Sequence, residues 1–243
     1  MVGSTIGWIN VPYLPCPSET SQIAQSMTLI PGTRARVAPG LTCRNRHGAP
    51  DVLRGEETQI LGALRLDASL GRGQHLLCLP GTHTKWVVLR DGAIQEFLTS
   101  ASGELFNIVN QHSVLVRSDG QSTDDASDTF KRAVEHVQAH PQAALAHLLF
   151  ECRSRQIAGE LERRDAPQFL SGLLIGQDVL HALRMFADVL NEESNIVIVG
   201  TARLMDLHTR AFSLLGRAAR SVNGEAASLA GLTALHSSLG QKD

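Results

Sequence analysis

Aromatic side chains are scarce in this 243-residue chain, which has seven Phe, two Trp and one Tyr. So few rings provide no stacking platform for single-stranded nucleic acid. A basic excess is missing too: 22 Lys and Arg face 24 Asp and Glu, for a net charge of −2. That balance argues against nucleic-acid or membrane-surface partners, which would call for a positive patch. No apolar run approaches the ~20 residues of a membrane-spanning helix. The opening MVGSTIGWINVPYLPCP has neither the basic start nor the long apolar stretch of a secretory leader. Cys16, Cys43, Cys78 and Cys152 are scattered, with no Cys-x-x-Cys. They read as reduced thiols of a cytoplasmic protein rather than a disulfide frame or a zinc site. A Walker A loop is also absent.

What remains is an ordinary globular composition, 43% hydrophobic and 19% charged. The length suffices for one large domain or two lobes. The chain is organised around the stretch from His75 to His112. Leu76 to Leu79 suits a buried strand, which Pro80-Gly81 breaks. Thr82, His83, Thr84 and Lys85 then crowd four polar side chains into one turn. Trp86 to Leu89 and Ala93 to Leu98 flank Asp91-Gly92, a strong hairpin signal because both turn positions need positive φ. A Gly turn with hydroxyls and a Lys after a strand is suited to phosphate, through backbone N–H groups, hydroxyl donors and an ammonium. The plain alternative is a hairpin turn with no ligand.

Around this stretch the chain alternates helical and strand patterns. Ser18 to Met27 reads as a helix and Val37 to Leu41 as a strand. Five arginines, Arg34, Arg36, Arg44, Arg46 and Arg54, offer bidentate grips for a carboxylate, or simply surface ion pairs. Arg54-Gly55-Glu56-Glu57 runs into a helix through Leu66. Two acids there suit the helix dipole, and either could act as a general base. Ser102-Gly103-Glu104 starts a helix that should bury Leu105, Ile108 and Val109. Ser118 to Asp128 is a polar loop, and Phe130, Val134 and Val137 share a helix face that Pro141 ends. His136 and His140 have metal-pair spacing, with His147 beyond, but no third ligand completes a pattern and solvated faces are expected. Pro167 opens a long apolar helix whose small residues, around Gly172 and Gly176, suit close packing. Ile196 to Gly200 is a buried strand ending in Gly, followed by a helix, a geometry in which ligands sit at the strand's carboxyl end. Ala218 to Val222 reads as a last strand and Glu225 to Leu239 as a last helix.

LPGTHTKWV, SGELF, QHSVL, RGEETQ and the Ser4, Gly7, Trp8, Pro12-Tyr13 pattern resemble the 2-dehydro-3-deoxygalactonokinase family, from Met1 to about Leu232. The resemblance implies an α/β fold of actin-like ATPase (ribonuclease H-like) lobes, with mixed sheets flanked by helices. The first lobe is expected to be incomplete, because no Asp-x-Gly-Thr loop occurs and Met1 matches an internal methionine. Residues 1–75 would be the remnant of a sugar-binding lobe and residues 76–243 a nucleotide-binding lobe, with the last helix packing back on the first.

The implied activity is ATP-dependent phosphorylation of 2-dehydro-3-deoxy-D-galactonate at its 6-hydroxyl, in galactonate breakdown, with Mg2+. Gly81, Thr82, His83, Thr84, Lys85 and Gly200 would hold ATP and its phosphates. Glu56 or Glu57 would take the proton, and Ser4, Gly7, Trp8, Arg54 and Glu104 would meet the sugar acid. Partners would be the sugar acid and ATP, without nucleic acid or membrane, and a homo-oligomer is compatible. Two other readings remain: an inactive binding or interaction protein, and a keto-acid lyase using Lys85 as a Schiff-base amine.

Overall fold

The computed structural model describes residues 11–117, 127–191 and 195–239. Ser4, Gly7 and Trp8 and most of the polar run beginning at Ser118 lie outside them. The first described elements are β1 (Tyr13–Pro15), α1 (Thr20–Gln25), β2 (Thr28–Leu29), β3 (Arg36–Val37), β4 (Gly40–Arg44), β5 (Pro50–Leu53) and α2 (Glu56–Leu66). It continues with β6 (Gln74–Leu79), β7 (Thr84–Arg90), β8 (Ala93–Ser100), α3 (Ser102–His112), α4 (Ser127–Ala139), α5 (Leu145–Ile157) and α6 (Ala166–Met185). The last elements are β9 (Asn195–Gly200), α7 (Ala202–Leu214), β10 (Arg220–Asn223) and α8 (Gly224–Leu239).

Five strands form the main sheet in the order β10-β9-β6-β7-β8. The pairs β10–β9 and β9–β6 are parallel, whereas β6–β7 and β7–β8 are antiparallel. The hairpin between β7 and β8 turns at Asp91 and Gly92, both with positive φ (50° and 77°), as that dipeptide predicts. A smaller sheet has the order β1-β4-β5, and β2 pairs with β3. The expected strand at Val37 to Leu41 is thus two strands with different partners. Pro39, which has no N–H to give a ladder, lies between them.

Alternation along the central strands divides two cores. Leu77, Leu79, Val87, Leu89 and Val199 pack with Ile60, Leu61, Ala227 and Leu235 from α2 and α8. Leu76, Cys78, Trp86, Val88 and Ile198 face the opposite layer, with Phe130, Val179 and Phe212 from α4, α6 and α7. Burying each large side chain contributes on the order of 1.5–3 kcal/mol. α2, which precedes the expected boundary at residue 75, shares a core with the sheet that follows it. α8 packs on α2 and α1.

Two close helix contacts depend on glycine. A Cβ on Gly62 would lie 1.7 Å from the Ala227 carbonyl oxygen, and one on Gly231 would lie 1.9 Å from that of Thr58. On the other layer, Gly172 and Gly176 of α6 face Phe130, Ala133 and Val134 of α4. The small residues of α6 thus serve packing.

Two side chains depart from expectation. Ile108 is 50% exposed, on the outer face of α3. His136 is not on a solvated face: its Nε2 lies 2.8 Å from Glu151, which also pairs with Arg155, so the ring joins α4 to α5. No helix among the described residues is long and apolar enough to cross a membrane.

Candidate functional site

The parallel strands β6, β9 and β10 all end at one edge of the main sheet. Strand β8 runs in the same direction, so α3, α7 and α8 all begin there. Unpaired N–H groups and the positive ends of helix dipoles make such an edge favourable for anions. Glycines let the elements at this edge approach one another closely. A Cβ on Gly200 would stand 3.2 Å from the Pro80 ring, and one on Gly224 would stand 3.1 Å from the Gly200 Cα. The Pro80 ring of the loop after β6 therefore lies against the end of β9, which meets the end of β10 backbone to backbone.

The same loop rests on the start of α3. The Glu104 N–H donates to the Thr82 carbonyl at 2.8 Å, and Gly103 approaches Gly81 too closely to carry a Cβ. His83 Nε2 is 2.7 Å from Glu104 Oε2, in a half-exposed pair that contributes little stability. Thr82 and His83 are exposed, while Thr84 is only 2% exposed and its hydroxyl meets Ser102 Oγ at 3.1 Å. Beneath it, Asp178 accepts from Ser102 Oγ at 2.9 Å and from Trp86 Nε1 at 3.0 Å. Burial raises the Asp178 carboxyl above the usual carboxylate range, and those hydrogen bonds act in the opposite direction. Thr84, Ser102, Asp178 and Trp86 form a partly buried polar scaffold under the loop.

Gly81, Thr82, His83 and Gly200 thus come together at the sheet edge. Lys85 does not extend into this turn. It is 6% exposed in β7, and its ammonium donates to the Val52 carbonyl at 3.0 Å and Thr99 Oγ1 at 2.9 Å. As the second residue of the strand, it takes the face of Val87 and Leu89, which turns it away from the exposed loop. The four polar side chains therefore separate into an exposed pair and a buried pair.

Gly55, with φ 101°, turns the chain into α2 in a conformation that β-carbon-bearing residues rarely adopt. The Glu56 carboxylate accepts the Arg54 N–H at 2.9 Å and is half-buried. Glu57 is 2% exposed; its Oε2 accepts the Gly55 N–H at 2.5 Å, and its Oε1 accepts the Thr58 hydroxyl. Burial pushes the Glu57 carboxyl up to about 7, against the hydrogen bonds from the local backbone and Thr58. The Arg54 guanidinium lies 4.3 Å over the Tyr13 ring and donates to the Val11 carbonyl at 2.7 Å. These contacts tie the end of β5 to the start of β1.

Asp51, Thr99 and Asp178 carry no motif, so nothing in their local sequence marks them, and the SGELF motif that holds Ser102 does not reveal its partner. Their partners lie far away along the chain, as with Trp86 and Asp178. Among the described residues, no group of three or more His, Cys, Asp or Glu could hold a metal ion. The helix starts at this edge fit a phosphate-bearing nucleotide; an all-protein magnesium cage is not evident among the described residues.

The sequence model of the family described as 2-keto-3-deoxy-galactonokinase matches residues 1–235. The chain is 37% identical over 238 residues to a probable 2-dehydro-3-deoxygalactonokinase of Rhizobium meliloti, covering 96% of this chain and 75% of that protein. To the Escherichia coli 2-dehydro-3-deoxygalactonokinase it is 34% identical over 235 residues, covering 97% and 76% respectively. A crystal structure titled as a putative 2-dehydro-3-deoxygalactonokinase from Sinorhizobium meliloti superposes with a TM-score of 0.86 at 36% identity. That match covers 98% of this chain and 78% of the solved one. The chain belongs to the 2-keto-3-deoxy-galactonokinase family of carbohydrate kinases, with the mixed α/β layers of the actin-like ATPase fold.

Proposed function

We propose that this protein transfers the γ-phosphoryl group of ATP to the 6-hydroxyl of 2-dehydro-3-deoxy-D-galactonate. The observation that carries this reading is the close packing at the sheet edge, where Gly103 meets the Gly81 backbone and Gly224 meets the Gly200 backbone. ATP, when bound, supplies the phosphoryl group, and Mg2+ entering with it neutralises charge on the phosphates. Backbone N–H groups of the Gly81–His83 loop, with the Thr82 hydroxyl and the His83 ring, orient the phosphates. Gly200 lies beside the nucleotide. Thr84 supports the loop from below.

Glu56 is the general base of this reading: half-buried at the start of α2, it accepts the proton of the attacking hydroxyl. Glu57 is the second candidate, with its protonation centred near neutrality. Arg54 and Glu104, with Ser4, Gly7 and Trp8, meet the sugar acid. In this reading residues 1–75 supply the sugar side and residues 76–243 the nucleotide side, with α2 joining them. Cytoplasmic galactonate breakdown suits four free cysteines. Burial raises the thiols of Cys16 and Cys152 to about 12, so they are protonated and unreactive.

The test is coupled ADP release with ATP, Mg2+ and the sugar acid, run beside calorimetric ATP binding on the parent and Glu56→Gln. Parent turnover that falls by roughly 10²–10⁴-fold in the variant, with ATP binding kept, supports the reading. A folded parent that binds ATP without turnover makes this a binding protein. Full activity in Glu56→Gln removes Glu56 as the base.

A further inference from the structure

Lys85 and Thr99 face each other across β7 and β8, and both connect to β5 of the smaller sheet. The Lys85 ammonium donates to the Val52 carbonyl and to Thr99 Oγ1. That hydroxyl then donates to Asp51 Oδ1 at 2.6 Å, and the Thr99 N–H donates to Asp51 Oδ2 at 2.9 Å. Asp51 Oδ1 also accepts the Val52 N–H at 2.8 Å, and Oδ2 accepts from Asn45 Nδ2 at 3.2 Å. Lys85 and Asp51 are 6% and 8% exposed. An ammonium and a carboxylate are expensive to bury, and an apolar cluster would hold two sheets together at least as well. What a hydrogen-bonded set adds is register, because a slip of one residue would turn Asp51 and Leu53 to the wrong face of β5.

Register matters in β5 because that strand leads directly into the turn bearing Glu56. Val52 is two residues before Arg54 and four before Glu56, and Gly55 makes the turn between them. Lys85 itself is the second residue of the strand that leaves the Pro80–His83 loop. One ammonium therefore joins the strand leading to the candidate base and the strand leaving the candidate phosphate loop.

We propose that Lys85, through Val52, Thr99 and Asp51, is a positioning residue. It sets the Arg54–Gly55–Glu56 turn against the phosphate loop and does not itself bind phosphate. The proposal rests on reading Glu56 as the base, but its first test needs no turnover. Hydrogen exchange and calorimetric ATP binding are measured on the full chain and on Lys85→Met, which keeps the length of the side chain and removes its donors.

Amides from Val52 to Thr58 should exchange about tenfold faster or more in the variant, while β9 and α6 keep the parent's protection. ATP affinity should stay within about threefold of the parent. Where the parent turns over, kcat should fall on the order of 10²-fold with the KM for ATP unchanged, as expected for a misplaced base. Unchanged exchange across Val52 to Thr58 overturns the proposal, whether or not the parent is active. A fall in ATP affinity of about tenfold or more also overturns it and makes Lys85 a phosphate ligand. Should Lys85→Met lose protection throughout, Thr99→Val decides by the same criteria, since it removes only the hydroxyl between Lys85 and Asp51. Parent inactivity with local loosening would overturn the kinase reading and leave the positioning role supported.

Discussion

A Cβ added to Gly103 would stand 2.1 Å from the carbonyl oxygen of Gly81, so the start of α3 and the loop after β6 touch backbone to backbone. The adjacent bond from the Glu104 N–H to the Thr82 carbonyl depends on that approach. Gly103→Ala must push the loop away from the helix, and overpacking of this kind costs about 1–3 kcal/mol. Half of the pair is loop, so the displacement should fall mainly on Gly81 to His83 rather than on the core. We expect ATP affinity to weaken by about tenfold or more with only a small change in melting temperature. Calorimetry beside a thermal melt checks this. Unaltered affinity would mean the loop does not hold the nucleotide.

The elements most legible in the sequence are those specified by neighbouring residues. Asp91-Gly92 marks its hairpin because the turn depends on two consecutive positive φ values. The run Leu76, Leu77, Cys78, Leu79 indicates a buried strand but cannot show that β9 lies beside it, from 120 positions away between His75 and Asn195. Long-range contacts also explain the misreadings. Lys85 reads as part of an exposed turn because its partners, Val52 and Thr99, come from other strands. His136 reads as solvated because Glu151 belongs to the next helix. Gly62 and Gly231 carry no local signal, since the need for glycine arises only when α2 and α8 meet. Within the site, Thr82, His83 and Ser102 are visible in motifs, whereas Asp178, which supports Ser102 from another helix, leaves no local trace.

Arg46, at the tip of the β4–β5 hairpin, holds the smaller sheet to the larger one. Its guanidinium pairs with Glu96 at 2.7 Å and with Asp188, donates to the Met185 carbonyl at 2.6 Å, and lies 4.5 Å over the Phe186 ring. The Asp188 hydrogen bond raises the Arg46 pKa further and lowers that of Asp188. A planar fork can make these contacts together, and a lysine cannot. Arg46→Ala should therefore destabilise the fold by about 2 kcal/mol, allowing for the exposure of Asp188. For a chain of this size that is a melting shift of about 4–8 °C. Arg46→Lys should recover less than half of it. A loss confined to low ionic strength would instead mark the cluster as a surface pair.

Glu57 and His208 impose opposite pH dependences on stability, and the two are separable. Burial raises Glu57 from 4.5 to about 7, so its contribution is fully present below the unfolded value and is lost as pH rises through 7. The difference corresponds to about 3 kcal/mol. His208 is 3% exposed; its Nδ1 bonds the Leu204 carbonyl, and its Nε2 has no hydrogen-bond partner among the described residues. Burial lowers it from 6.5 to about 4, with the Leu204 bond opposing, so its contribution is present above 6.5 and is lost as pH falls through 4. Between the two unfolded values, 4.5 and 6.5, the slopes nearly cancel in the parent. Glu57→Gln should uncover the histidine slope, with stability rising as pH goes up across that window. His208→Leu fills a similar volume without a titrating ring and should uncover the glutamate slope, with stability falling across the same window. Urea unfolding of both variants at several pH values between about 4.5 and 7.5 reads the two profiles directly. Profiles that diverge by a few kcal/mol would show both groups titrating inside the fold, whereas parallel profiles would mean that neither is held in the protonation state its burial demands.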